Sequence, residues 1–159
     1  MNEKEKTILL SVPNISGNEL KYVKECLETG WISSAGSYVD KFEQMVADYA
    51  GAKYGIATMN GTAALHIALL LAGVKPKDYV IVSNMTFVAS ANSIKYTGAD
   101  PILIDADQKT WQMDLDLLNE FLDNKTSINS EGERILISDG RRVKTIMPVH
   151  IQGNIFDVD

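Results

Sequence analysis

Asn60-Gly61-Thr62-Ala63-Ala64-Leu65 is the segment whose residue types and order are best suited to chemistry. It falls between a short apolar run, Tyr54 to Thr58, and an apolar stretch of helical length. A turn there would open onto the first turn of a helix, where unpaired N–H groups and the positive dipole end suit a phosphate. Gly61 lets a ligand approach the backbone, Thr62 adds a hydroxyl donor, and Ala63 offers an unobstructed amide. A plain turn with a threonine near a helix start has the same local pattern. The segment matches neither the Walker A motif nor GxGxxG, which disfavours a P-loop NTPase and the standard dinucleotide fold.

Thr86-Phe87 occupies the equivalent place after the next expected strand. An aromatic there could lie flat against a planar ring, although periodicity alone makes Phe87 a core residue. Trp31-Ile32-Ser33-Ser34 sets an aromatic beside two hydroxyls, either the rim of a polar ligand site or an ordinary connection. Of the two histidines, His66 falls inside an apolar helix and reads as structural. His150 ends a strand, where open α/β sheets place their sites; both a site residue and a simple strand end fit it. Asp105 and Asp107 flank a strand end and could meet a cation, but a solvated turn explains them better. With a single cysteine, Cys26, there is no metal-ligand spacing and no disulfide framework, as in a reducing compartment. GxSxG is absent, and no nucleophile–base pair can be named.

Alternating strands and helices would have to position these residues. Ser16-Gly17-Asn18-Glu19 fits a capping box with Ser16 as N-cap, leading a helix with Leu20, Val23 and Leu27 on one face and Gly30 at its stop. Val39, Phe42, Val46 and Tyr49 mark a second helix ended by Gly51. Tyr54 to Thr58 reads as a buried strand, Thr62 to Ala72 as a helix closed by Gly73, and Tyr79 to Val82 as a strand. Phe87 to Thr97 follows as a helix, Pro101 to Ile104 as a strand, and Leu115 to Leu122 as a helix. Asp139-Gly140 signals a hairpin between Arg134–Ser138 and Arg142–Met147, since a type I′ turn needs positive φ at both central residues. Val143 to Val149 would be its inward strand, followed by a turn at Gln152-Gly153-Asn154. Asp157 looks like an N-cap with no helix after it, as at an internal boundary of a longer polypeptide. The fold class expected is α/β, a largely parallel sheet with helices on both faces.

The 159 residues are 45% hydrophobic and 23% charged, an ordinary globular composition. Their net charge of −6, with no basic block, argues against nucleic acid or an anionic membrane as partner. Ala63 to Val74 is too short to span a bilayer, and Met1 to Lys6 lack the apolar core of a signal peptide. A soluble, cytoplasmic unit is expected.

Taken together, these residues resemble the pyridoxal-phosphate-dependent sugar aminotransferases of the DegT/DnrJ/StrS type. The resemblance runs over essentially the whole chain. It is most specific in Ser11-Val12-Pro13-Asn14-Ile15-Ser16-Gly17-Asn18-Glu19 and Thr29-Gly30-Trp31-Ile32-Ser33-Ser34. It continues through Val39-Asp40-Lys41-Phe42-Glu43, Asn60 to Leu65, Thr86-Phe87-Val88-Ala89 and Gly98-Ala99-Asp100-Pro101. Gly140-Arg141-Arg142-Val143-Lys144 and Pro148-Val149-His150 complete it. The opening segment and the Gly-Arg-Arg insertion resemble the legionaminic-acid-pathway branch, whose members aminate C4 of a UDP-4-keto-6-deoxy-N-acetylhexosamine.

The resemblance implies the amino-terminal half of a fold-type-I large domain over residues 1–159, with pyridoxal 5'-phosphate as cofactor. Gly61, Thr62 and Ala63 would hold its phosphate, and Phe87 would stack on its ring. Trp31, Ser33, Ser34 and His150 would lie on the substrate side, toward a nucleotide sugar, with glutamate as amino donor. A homodimer is implied as well. The family's Schiff-base lysine and the aspartate that pairs with the pyridinium nitrogen fall after the segment matching Val149-His150, and no lysine here matches the former. No catalytic residue is therefore assigned within the chain, and no turnover is expected from these residues alone. A sugar dehydratase of the same superfamily, with histidine for that lysine, is the second expectation, and a non-catalytic phosphate-binding or assembly remnant the third.

Overall fold

Gly30 and Gly51, both at left-handed φ, close the two helices α1 (Glu19–Thr29) and α2 (Ser37–Ala50). These belong to the first of two units, residues 1–57 and 58–159, and the computed structural model describes residues 11–155. The expectations at Met1 to Lys6 and at Asp157 lie outside the described residues.

The capping box expected at Ser16 does not form. Asn18, at φ −95° and ψ 10°, directly precedes the helix and makes no side-chain cap. The Glu19 carboxylate instead accepts from the Gly17 amide at 2.8 Å, and Ser16 Oγ turns to Asn14. The strand expected over residues 54–58 is also absent. A Cβ at Gly55 would collide with the Glu43 carbonyl of α2, and the Ala57 amide donates to Glu43 Oε1 at 2.8 Å. The segment's polar contacts are thus tied to a helix and not to a neighbouring strand. Tyr54 and Ile56 are exposed.

The second unit holds α3 (Gly61–Leu71), β1 (Tyr79–Ser83), α4 (Val88–Tyr96), β2 (Asp100–Ile104), α5 (Leu115–Lys125), β3 (Thr126–Ile128), β4 (Arg134–Leu136) and β5 (Val143–Met147). Its sheet runs β2-β1-β5, all parallel, with Ile81 opposite Ile102 on one side and Ile146 on the other. Side chains alternate across β1, as the period of two requires. Val80 and Val82 pack with Leu69 of α3 and Ile94 of α4, whereas Ile81 packs with Ile104, Met113, Val143 and Leu118 of α5. Both faces of the sheet are therefore covered, as expected for parallel strands. Full burial of each such side chain is worth about 1.5–3 kcal/mol.

The expected hairpin at Asp139-Gly140 is corrected. The chain does reverse there, but only Gly140 has positive φ, so the turn is not type I′. Leu136 and Arg141 close a wider loop, and Ile135↔Arg142 is an isolated bridge. β4 pairs antiparallel with β3, a strand the sequence reading did not expect, while β5 joins β1 and ends at Met147. The turn expected at residues 152–154 is a 3-10 turn, Ile151–Gly153.

The amino edge of this sheet is held by arginines. Arg142 meets Asp78 at 2.6 Å, Glu133 at 3.0 Å and the Gly73 carbonyl at 3.1 Å. Arg141 lies 4.0 Å over the Tyr79 ring and reaches Asp100 at 2.5 Å and the Lys77 carbonyl at 2.7 Å. Burial would raise the Asp78 carboxyl, but hydrogen bonds from Arg142 and the Lys75 amide outweigh it and hold the group below its usual range.

Candidate functional site

The direction of α3 and α4 follows from where they end. The loops after the two helices meet at the amino edge, where the Lys77 amide donates to the Gly98 carbonyl at 2.8 Å. Gly98, at φ 79°, lies so close to Pro76 that an added Cβ would stand 3.0 Å from it. The helices pack side by side, so both N-termini open at the carboxyl edge, the usual ligand edge of a parallel sheet.

At α3 the cap is Asn60, whose Oδ1 accepts from the Ala63 amide at 2.9 Å, while its carbonyl accepts from Ala64. This corrects the expectation of an unobstructed Ala63 amide: a ligand would have to displace Asn60 to reach it. The amides of Gly61 and Thr62 precede the first intrahelical bond and remain open. A Cβ built on Gly61 meets nothing within 4 Å, so the approach is clear. Phe87 immediately precedes α4 with extended backbone and is 78% exposed. It is not a core residue, and its ring is available to a planar ligand. Thr86 Oγ1 is 2.7 Å from Ser90 Oγ, which fixes the start of α4.

Ser83 was not among the residues the sequence singled out. It ends β1, is 2% exposed, and its Oγ is the one buried side-chain polar atom without a partner among the described residues. By alternation it lies on the α5 side of the sheet with Ile81. Only an alternation count from Val80 could have found it. His150 lies three residues beyond β5, exposed, just before the 3-10 turn. His66 is half-buried against Tyr96, with ring centroids 5.9 Å apart. Asp107 accepts from the amides of Thr110 and Lys109 and from Thr110 Oγ1, which lower its carboxyl. It is a turn residue, and no group of three or more potential metal ligands occurs among the described residues.

Trp31, Ser33 and Ser34 belong to the first unit. Trp31 and Ser33 line a cavity of about 440 Å³ together with Glu25, Thr29 and Tyr38; Ser34 is outside its wall. The Tyr38 hydroxyl donates to Glu25 at 2.7 Å, and that bond pushes its pKa up to about 12. The cavity therefore presents a carboxylate, a neutral phenol and an exposed indole, a lining suited to a polyhydroxylated ligand. The Tyr38–Glu25 pair was not foreseen, because its partners are thirteen residues apart on separate helices. No helix among the described residues is long and apolar enough to cross a membrane.

The model of the DegT/DnrJ/EryC1/StrS aminotransferase family matches residues 13–159. A protein named GDP-perosamine synthase from Caulobacter vibrioides is 43% identical over 96% of this chain and 36% of its own length. One of the same name from Escherichia coli O157:H7 is 42% identical over 92% of this chain and 36% of its own. Among solved structures, a sugar aminotransferase from Streptococcus pneumoniae in its PMP form is 30% identical with a TM-score of 0.75, over 96% of this chain and 34% of that one. The chain spans about a third of the length of the curated relatives it matches.

Proposed function

As the chain belongs to the DegT/DnrJ/EryC1/StrS aminotransferase family, we propose that its residues supply the cofactor-phosphate and ring-stacking part of a pyridoxal-phosphate-dependent nucleotide-sugar aminotransferase. Within residues 1–159 they form part of its large domain. The observation that carries this reading is the pairing of two open helix starts on one sheet edge: α3 with the free amides of Gly61 and Thr62, and α4 with the exposed ring of Phe87. These residues fit the cofactor: two amides and a hydroxyl suit a phosphate dianion, and a bare aromatic suits a pyridine ring.

When bound, pyridoxal phosphate supplies an electron sink for moving an amino group. The chain's own part is to grip and orient it. Thr62 Oγ1 and the Gly61 and Thr62 amides would hold the phosphate, and the Ala63 amide, which donates to Asn60 Oδ1 in this structure, would join them. Phe87 would cover one face of its ring and keep water from it. In the other unit Trp31 and Ser33 meet the sugar, with Ser34 beside them, and His150 belongs to the substrate side. The assembly is a homodimer working in the cytoplasm.

The substrate is a UDP-4-keto-6-deoxy-N-acetylhexosamine aminated at C4, with glutamate as donor. A GDP-linked keto-sugar is the second reading, favoured by the relatives named GDP-perosamine synthase. Amino transfer by the complete protein separates them. With glutamate and each keto-sugar, 2-oxoglutarate and a 4-amino sugar should form in equal amounts from the UDP-linked compound. Formation only from the GDP-linked compound selects the second reading, and no transfer to either refutes both.

A further inference from the structure

Asn60 is the one asparagine in the chain that is followed by glycine. Such a pair can modify itself: the nitrogen after an asparagine can attack the side-chain amide carbon, and glycine sets no Cβ in the way. A fold blocks the reaction where it holds that nitrogen in a hydrogen bond. The Gly61 amide precedes the first intrahelical bond of α3 and meets no acceptor among the described residues. Both residues are exposed. Gly61 is not left-handed, so its backbone conformation makes no demand for glycine.

The surrounding atoms favour the chemistry. Asn60 Oδ1 accepts from the Ala63 amide at 2.9 Å, a donor aimed at the oxygen where negative charge collects as the amide carbon becomes tetrahedral. The start of the helix also favours the anion left on the Gly61 nitrogen once its proton has gone. Asn60 Nδ2, the leaving group, donates no hydrogen bond among the described residues. Closing the ring takes a rotation about the Asn60 Cα–C bond, now at ψ 170°. A Cβ built on Gly61 would meet nothing within 4 Å, so the rotation has room. Asp139-Gly140, the other acidic or amide residue followed by glycine, makes the contrast. There the Gly140 amide donates to the Leu136 carbonyl at 2.8 Å, and the carboxylate accepts from the Tyr79 hydroxyl and the Arg141 amide at 2.9 and 3.0 Å.

We infer that Asn60-Gly61 is a site of self-modification by deamidation, shielded when a phosphate occupies the start of α3. The Gly61 nitrogen gives its proton to water and bonds to Asn60 Cγ. The Cγ–Nδ2 bond breaks, ammonia leaves with a proton taken from water, and a five-membered succinimide remains. Water then opens the ring: breaking the bond from the Gly61 nitrogen to Cγ yields aspartate, and breaking its bond to the main-chain carbonyl carbon yields isoaspartate. No oxidant or reductant takes part. Either product sets a carboxylate beside the phosphate grip, and isoaspartate also lengthens the main chain by one methylene. The shielding, though not the chemistry, rests on the cofactor reading above.

The test holds the protein in warm, mildly alkaline buffer, alone and with pyridoxamine phosphate or pyridoxamine. The peptide containing Asn60 is followed by mass spectrometry, with isoaspartate scored apart from aspartate. Asn60 should be lost several times faster in the wild type than in Gly61→Ala, whose added methyl the open space accommodates but which crowds the attacking nitrogen. Asp139 should stay unisomerised. Pyridoxamine phosphate should slow the loss, and pyridoxamine should not. Asn60→Asp keeps a good helix cap and should melt no earlier than the wild type. It should nevertheless bind pyridoxamine phosphate roughly tenfold more weakly, the scale of a like-charge contact near a protein surface. Asn60 lasting as long in the wild type as in Gly61→Ala overturns the site. Equal loss with and without pyridoxamine phosphate, or full affinity in Asn60→Asp, overturns the shielding and contradicts the phosphate grip while the modification stands, so the two can fail separately.

Discussion

Three residues at the amino edge and three at the carboxyl edge divide the work of the second unit. At the amino edge Asp78, Arg142 and Glu133 form a shielded ionic cluster that joins the start of β1 to the start of β5. The Asp78 carboxyl titrates below its ordinary value: burial would raise it, and the bonds from Arg142 and the Lys75 amide prevail. A depressed native pKa means that the unfolded chain takes up the proton first on acidification. The pair's stabilisation is thus fully present above about pH 4, the ordinary aspartate value, and fades as pH falls through the native one. Asp78→Asn should cost about 3 kcal/mol near neutrality, the scale for breaking a shielded pair. Urea melts at pH 7 and pH 3 should show that difference shrinking in acid. At the carboxyl edge Gly61, Thr62 and Phe87 carry no such network and are left for a ligand.

The helices show which elements the sequence could specify. α5 is capped by Asp114, whose carboxylate accepts from the amides of Asp116 and Leu117 at 2.9 and 3.1 Å. Asp114→Ala should lower stability by about 1 kcal/mol, read as a reduced urea midpoint with unchanged slope. The helices of the second unit and strands β1, β2 and β5 were legible because apolar periodicity and glycine stops set them locally. Their boundaries moved by at most three residues, the largest shift being α5, which runs on to Lys125. Residues 54–58 were misread because an apolar run does not say what it pairs with; Glu43 decided that from another helix. The Asp139-Gly140 turn was real, but the partner of β4 was not legible. It is set by Thr126 to Ile128, a three-residue strand too short to leave a period. The α3 and α4 starts were found from glycine, threonine and aromatic placement. Alternation from Val80 could place Ser83 in the core, but its orphaned hydroxyl and the capping of Ala63 by Asn60 depend on side-chain geometry that spacing does not encode.

At the scale of the whole molecule, each unit leaves apolar side chains uncovered. In the first, Leu20, Leu27, Ile32 and Tyr49 are exposed, and Ala47 is the one buried hydrophobic among the described residues. In the second, β2 and β5 are the outer strands of the three-stranded sheet, with Leu103 and Ile146 exposed on them. Open strand edges and apolar patches drive association. The purified chain should therefore self-associate with rising concentration in sedimentation velocity; a single monomer boundary across the range would contradict this. The family is shown by a match from residue 13 onward, and the cofactor grip at α3 and α4 is the central claim built on it. Its most direct test is to titrate the chain with pyridoxamine 5'-phosphate and with pyridoxamine, which differ only in the phosphate and cannot condense with stray lysines. The phosphate form should bind at least roughly tenfold more tightly, and Thr62→Val should remove much of that advantage, as expected for losing one hydrogen bond to a charged group. Equal affinity for the two compounds, or an advantage that Thr62→Val leaves intact, would contradict the account.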